Sequence, residues 1–429
     1  MMETCDCQDE RPRRRWYRSI GPALITACVV FGPGSLLVSA NVGAAHGYGL
    51  LWLLLVTGVL MGTFMSMAAR IGVAGGGTPC TLVARHLGRP MAFIIGANLF
   101  LICTTFQFAN NLAVAAAAEA LIPRIRPEWL IAGLNAAIIL FLFAARHIYR
   151  LLERMMKIMV AVILICFAAN LILAGPKILD IVTGLIPHLP PGMSLRLPYR
   201  LEGIVQDPML LVASLLGTTF SVGAALYQGN LVREKGWGLA EYRRGIGDSM
   251  TGVAVLTGIS AIIMITAATV IPGQAAADVG MLARSLQPLL GSLAYVMFCM
   301  GLLAVSMNPF LINAMIGGSI LADGIGLPPR LSDQWPRRLT VMVLLVGMTV
   351  AILALRTGQK PITLIIFGQA LTVLGNPLMA VTLLWLANSK NIMGSHRNRW
   401  LVNVLGGAGL LIVLFIAVRV LILIVLKLT

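Results

Sequence analysis

The chain has 429 residues, 58% of them hydrophobic and 11% charged, with 32 Lys and Arg against 16 Asp and Glu for a net charge of +16. A water-solvated globular surface needs about 25% charged residues, which excludes a cytosolic enzyme, a coiled coil, a disordered tail and a secreted disulfide scaffold. The composition is that of a polytopic helical membrane protein, and its basic excess belongs in loops beside anionic headgroups rather than on nucleic acid.

Residues 1–18 form a basic tail with a Cys5-x-Cys7 pair and Arg13-Arg14-Arg15. Eleven apolar runs follow, each long enough for the roughly 20 residues that a span requires. They cover 19–46, 48–73, 91–120, 128–147, 151–174, 206–232, 247–271, 288–322, 337–355, 361–388 and 400–426. The first resembles a signal peptide, but ten further runs make it an uncleaved span. Lys and Arg gather in alternate connections: Arg70 with Arg85 and Arg89, Arg146 to Lys157, Arg233 to Arg244, Arg330 to Arg338, Lys390 to Arg399. The positive-inside rule then places the N-terminus in the cytoplasm and the C-terminus outside a plasma (inner) membrane. Cys28, Cys103, Cys166 and Cys299 lie inside apolar runs as small hydrophobes, so no disulfide framework is implied.

The Pro-rich connection 175–205 falls on the outer side and divides the chain. Residues 19–174 make one group of five spans and 206–388 a second, leaving 389–429 as a cytoplasmic loop and an eleventh helix. Halves of opposite orientation are the mark of inverted-repeat transporters, whose first helices are broken at the solute site. In the first span Gly32-Pro33-Gly34-Ser35 lies mid-membrane, where Pro lacks an N–H and Gly permits non-helical dihedrals. The sixth carries Gly217-Thr218-Thr219-Phe220-Ser221-Val222-Gly223 at the matching depth. Backbone groups freed by two facing breaks must line a cavity, because lipid cannot satisfy them.

With these landmarks the chain resembles the NRAMP family of divalent-metal transporters. Gly21-Pro22, Gly32-Pro33-Gly34-Ser35, His46-Gly47-Tyr48, Leu50-Leu51-Trp52 and Ala69-Arg70-Ile71-Gly72 match family landmarks in order. Gly368-Gln369-Ala370-Leu371-Thr372, Asn376-Pro377-Leu378 and Ile392-Met393-Gly394 continue the likeness, which covers about 18–415. The resemblance implies an all-α fold of eleven helices, a LeuT-like 5+5 inverted repeat plus one helix, and secondary transport of a divalent cation. It also shows what is missing. Gly32 stands where the family has its metal-binding Asp, Ser35 where it has Asn, and Ser221-Val222-Gly223 where it has Met-Pro-His. The third-span carboxylates are replaced by neutral residues around Asn98 and among Thr105, Gln107 and Asn110.

Hard cations want anionic oxygens, yet Glu119, Glu128, Glu153, Asp207, Asp248 and Asp323 all sit at span ends. The expected solute site is therefore uncharged: Gly32, Gly34, Ser35, Thr218, Ser221, Gly223, Gln369 and Asn376, with metal contacts from Ser35, Thr218 and Ser221. Its expected passenger is a magnesium-like or partly hydrated divalent cation; the alternative is a small organic solute such as an amino acid, held at half-helix ends. Catalytic residues and cofactors are not implied, beyond a transported cation. Of the remaining polar residues, His46 reads as an interfacial structural ring and one of Tyr227, Gln228 and Asn230 as pathway-facing. Asn308-Pro309 reads as a kink, Asn376-Pro377 as a third distortion, and Arg419 as snorkelling to the outer surface.

Overall fold

The computed structural model describes residues 31–122, 126–144, 175–190, 193–202, 204–273, 279–283 and 291–428, with short pieces between 158 and 173. The basic tail with Cys5 and Cys7, the Gly21-Pro22 pair, Glu153 and most of the fifth expected span lie outside the described residues.

In chain order the main helices are α1 (Pro33–His46), α2 (Leu51–Ala74), α3 (Pro79–Leu87), α4 (Arg89–Leu121), α5 (Pro127–Ala144) and α6 (Ile178–Gly184). A hairpin of β1 (Tyr199–Leu201) and β2 (Ile204–Gln206) precedes α7 (Leu210–Thr219), α8 (Val222–Glu234) and α9 (Leu239–Val270). Then come α10 (Ala294–Ile325), α11 (Gln334–Leu355), α12 (Pro361–Leu371), α13 (Asn376–Asn388) and α14 (Trp400–Leu428). Among the described residues eight helical segments are long and apolar enough to cross a membrane, with α7–α8 and α12–α13 each counting as one interrupted span. Of the other expected spans, the first is described only from residue 31, and α5 is a shorter apolar helix.

The bundle is built around α4, a 33-residue helix that packs against α10, α11 and α12. On the other side α9 lies along α1 and α2, and α8 lies along α2. Small residues set how closely these helices approach. At Gly72 on α2 any side chain would strike the Gly229 carbonyl of α8.

The all-α expectation holds, with a short hairpin added to it: β1 and β2 pair antiparallel with Arg200 opposite Val205, and the Arg200 guanidinium donates to the Leu426 carbonyl of α14 at 2.6 Å. One expectation is corrected. Arg419 does not snorkel. Only 1% exposed, it meets the Asp207 carboxylate at 2.6 Å and donates to the carbonyls of Leu195 and Arg196. Its acidic partner precedes it by 212 residues, and desolvating a guanidinium is tolerable only when acceptors such as these meet it, here at both terminal nitrogens while Nε stays unpaired. This clasp ties the connection 193–209 to the last helix at the His46 end of the bundle.

Candidate functional site

The sixth expected span is broken at Phe220 and Ser221. The α7 helix ends at Thr219, Phe220 takes φ −115° and ψ 64°, and Ser221 takes φ −83° and ψ 91°. Ser221 then restarts the chain as the N-cap of α8, its hydroxyl accepting from the Ala224 N–H at 3.4 Å. The stop falls inside the Gly217–Gly223 stretch, and in the turn before it the Thr218 and Thr219 hydroxyls bond back to the Leu215 carbonyl at 2.9 and 2.6 Å. In the first span α1 starts at Pro33, with Gly32 extended at φ −106° and ψ 170°. The ring of Pro309 from α10 lies over Gly32, its Cγ 3.4 Å from where a Cβ would sit. Helix α10 stays continuous through Pro309.

The tenth expected span holds the start of α1 against the α7–α8 break. Between α12 and α13 it tightens into a 3₁₀ turn at Thr372–Gly375, the distortion expected near Asn376-Pro377. The Ser214 hydroxyl is shared between the Leu210 and Ile366 carbonyls at 2.8 and 2.7 Å. One turn on, Gly217 lies flat against the Gln369 carbonyl, and the Thr372 hydroxyl bonds Gln369 O at 2.7 Å while reaching Gly217 O at 3.4 Å. At the break itself the Asn376 amide donates to the Phe220 carbonyl at 3.2 Å. The Gln369 side chain fills the space that a side chain at Gly34 would need. From α4, the Asn98 amide closes the arrangement on the Gly375 carbonyl at 2.8 Å.

The family described as Natural resistance-associated macrophage protein-like matches residues 23–423. The chain belongs to that family. Among its relatives, the divalent metal cation transporter MntH of Deinococcus radiodurans is 25% identical over 401 residues, 92% of this chain and 87% of the relative. The MntH of Mycobacterium leprae is 25% identical over 406 residues, 92% and 88% of the two chains. Among solved structures, the Eremococcus coleocola manganese transporter superposes with a TM-score of 0.75 at 21% identity, covering 96% of this chain and 87% of that one. Mhp1, a nucleobase-cation-symport-1 family transporter, superposes at 0.52 and 12% identity over 94% and 92% of the chains. These likenesses establish a LeuT-like fold.

For this NRAMP chain the structure brings Gly34, Gly217, Gln369, Phe220 and Asn376 into one cluster joining the start of α1 to the α7–α8 break. Gln369 and Asn376 are each 1% exposed, and Gln369 Oε1 and Asn376 Oδ1 have no hydrogen-bond partner. Two unpaired acceptors in a membrane interior are costly unless something binds or hydrates them. Gly223 is different: the Leu99 methyl group of α4 occupies the space of a side chain there, so this residue is sealed under Leu99. The Thr218 hydroxyl is likewise committed to Leu215, leaving its carbonyl as the group available to a ligand. Sequence reasoning missed Ser214 and Leu99, read Pro309 only as a kink, and read Asn98 only as a replaced carboxylate. Polar residues at 369, 372 and 376, spaced as one helical face, were the available signal for the staple.

The cluster carries no formal charge. Among the described residues no group of three His, Cys, Asp or Glu could hold a metal ion. The α4 face beside it is also neutral, with both amide atoms of Gln107 and Nδ2 of Asn110 unpaired and Asn135 donating to Asn111 at 2.7 Å. At the Arg89 end of the bundle, Asp323 is 2% exposed and accepts from Thr78 and Thr81 of the α3 region at 2.9 and 3.0 Å. It also accepts from Asn230 of α8 at 3.1 Å, tying the lower half of the broken span to α3 and α10. Of the three residues among which one was expected to face the pathway, Asn230 joins this network and Gln228 bonds Ser249 of α9 at 3.3 Å.

Proposed function

We propose that this NRAMP chain is a secondary carrier that moves a divalent cation through an uncharged site between Gly32–Ser35 and Thr218–Ser221, by alternating access of its broken helices. Residues 19–174 and 206–388 are its two repeats, and the N-terminus faces the cytoplasm of a plasma membrane. The observation that carries the reading is the pair of orphaned acceptors, Gln369 Oε1 and Asn376 Oδ1, on the segment that staples the breaks together.

The relatives' names point to divalent metals, and manganese for the structural neighbour. Side chains and backbone point to one that keeps its water. Soft and borderline metals gain from thiolate or thioether ligands, and no such group is placed among the residues of this cluster. Mg²⁺ dehydrates reluctantly and usually keeps several waters, so amide, hydroxyl and carbonyl oxygens can hold its hydration shell without stripping it. With no carboxylate or His in the cluster, a proton relay has no carrier there; transport follows the cation's own gradient. The neutral site also suits a small organic solute with its carboxylate at a half-helix N-terminus, which is the second reading.

Uptake into proteoliposomes decides between them. The expected result is Mg²⁺ uptake exceeding that of Mn²⁺ and Ca²⁺ and indifferent to an imposed pH gradient. Proton-driven Mn²⁺ uptake would overturn the uncharged-site reading. Thermal stabilisation by amino acids, with none by divalent ions, would favour the organic solute.

A further inference from the structure

At the His46 end of the bundle, α5 begins beside the end of α11, and a cavity of about 610 Å³ opens between them. Arg126, Glu128, Trp129, Ala132, Ile352 and Arg356 line it. This is the level at which apolar helices give way to polar connections: Pro127 opens α5 and Arg356 caps α11. Trp129 is 74% exposed, and Trp is enriched at headgroup depth. The charged groups are uncommitted. Neither guanidinium nor the Glu128 carboxylate has a hydrogen-bond or ion-pair partner among the described residues.

Two guanidinium forks in one cavity suit a phosphate, which Arg engages through paired N–H donors. A half-buried carboxylate in the same cavity would repel a purely anionic ligand, and asks for a positive group within one headgroup's length of the phosphate. The floor of Ala132 and Ile352 is apolar, as an acyl chain or glycerol backbone would need and a free inorganic anion would not. We infer that this cavity binds the headgroup of a zwitterionic aminophospholipid. Arg126 and Arg356 hold its phosphodiester, Glu128 accepts from its primary ammonium, and Trp129 covers it at the interface. The inference is independent of what the carrier transports.

Native mass spectrometry on the delipidated full chain tests it, with phosphatidylethanolamine, phosphatidylcholine and phosphatidylglycerol of identical acyl chains. Phosphatidylethanolamine is expected to bind tightest. A trimethylammonium cannot donate to Glu128, and phosphatidylglycerol meets its charge with no ammonium to offset it. The Arg126→Gln/Arg356→Gln variant should lose about tenfold in phosphatidylethanolamine affinity, the scale of one or two charge-assisted hydrogen bonds. Glu128→Gln should erase the preference over phosphatidylcholine and raise phosphatidylglycerol binding. Equal binding of the three lipids, a preference for phosphatidylglycerol in the unmodified chain, or displacement by millimolar inorganic phosphate would each overturn the assignment. So would a ranking that neither variant alters. The ranking in the unmodified chain requires no substitution, so a variant that fails to fold leaves the test intact.

Discussion

The two ends of the bundle each bury one carboxylate, and they hold it differently. At the His46 end Asp207 meets a cation: Arg419 closes on it at 2.6 Å, and the Met209 N–H donates to the same oxygen at 2.9 Å. At the Arg89 end Asp323 is held by neutral donors alone, two threonine hydroxyls and one amide, while Arg89 reaches only its backbone carbonyl at 3.4 Å. An ion pair stripped of water is costly to separate; three neutral hydrogen bonds are each worth about 1–3 kcal/mol when they involve a charged group, and water can replace them singly. The first arrangement therefore suits a fixed clasp and the second a joint that opens. The elements they join agree with this. Arg419 ties a connecting segment to the last helix, whereas Asp323 ties α8, the lower half of the broken span, to α3 and α10.

The largest effect should come from breaking the clasp. Arg419→Met leaves the Asp207 charge and two backbone carbonyls buried without their partner, and should cost about 3–5 kcal/mol in denaturant unfolding. The double variant Asp207→Asn/Arg419→Met should recover at least half of that. If the single and double variants lose equally, the ion pair is not what holds this end.

Asp323→Ala should cost less, about 1–3 kcal/mol, as Thr78, Thr81 and Asn230 lose their acceptor. Its sharper signature is at Cys80, which is fully buried on α3 and whose thiol burial pushes well above the ordinary cysteine range. Such a thiol is protonated at neutral pH and inert to maleimide. Opening the joint returns it toward its ordinary pKa, so the thiolate fraction and the labelling rate both rise. The account expects faster Cys80 labelling in Asp323→Ala and little change in Arg419→Met. The reverse order would contradict the assignment of fixed and opening ends.

The smallest effect is expected in the neutral middle. Asn376→Ala removes one amide donor from the Phe220 carbonyl and should cost about 1 kcal/mol. Because that bond shapes the break, uptake should fall more than stability does. A variant that transports normally would separate Asn376 from the site.

How much of this was legible depended on distance along the chain. Apolar runs located the eight segments that are long enough to cross a membrane among the described residues, and Gly32-Pro33 marked where α1 begins. The sixth-span break was legible as a region; its location at Phe220–Ser221 was not, since it depends on which threonine hydroxyls fold back onto the helix. Asp207 with Arg419 and Asn98 with Gly375 are joined across 212 and 277 residues, and no local pattern announces such pairs. The α3 helix escaped notice because it is nine residues long and lies in a connection, although Thr78-Pro79 is an N-cap followed by a helix-opening proline. What lies over Gly223 was hidden for the same reason, since Leu99 comes from another helix.

The cluster between the start of α1 and the α7–α8 break offers uncharged oxygens only. Calorimetric titration of Mn²⁺ into the detergent-purified chain and its Gly32→Asp/Ser35→Asn/Ser221→Met variant tests it most directly. The extended backbone at Gly32 accepts an L residue, and a Cβ there would meet Pro309 at ordinary contact distance. Mn²⁺ should bind the unmodified chain weakly and gain at least about tenfold in the variant, the scale of one added carboxylate ligand. Tight Mn²⁺ binding by the unmodified chain, unimproved in the variant, would contradict it.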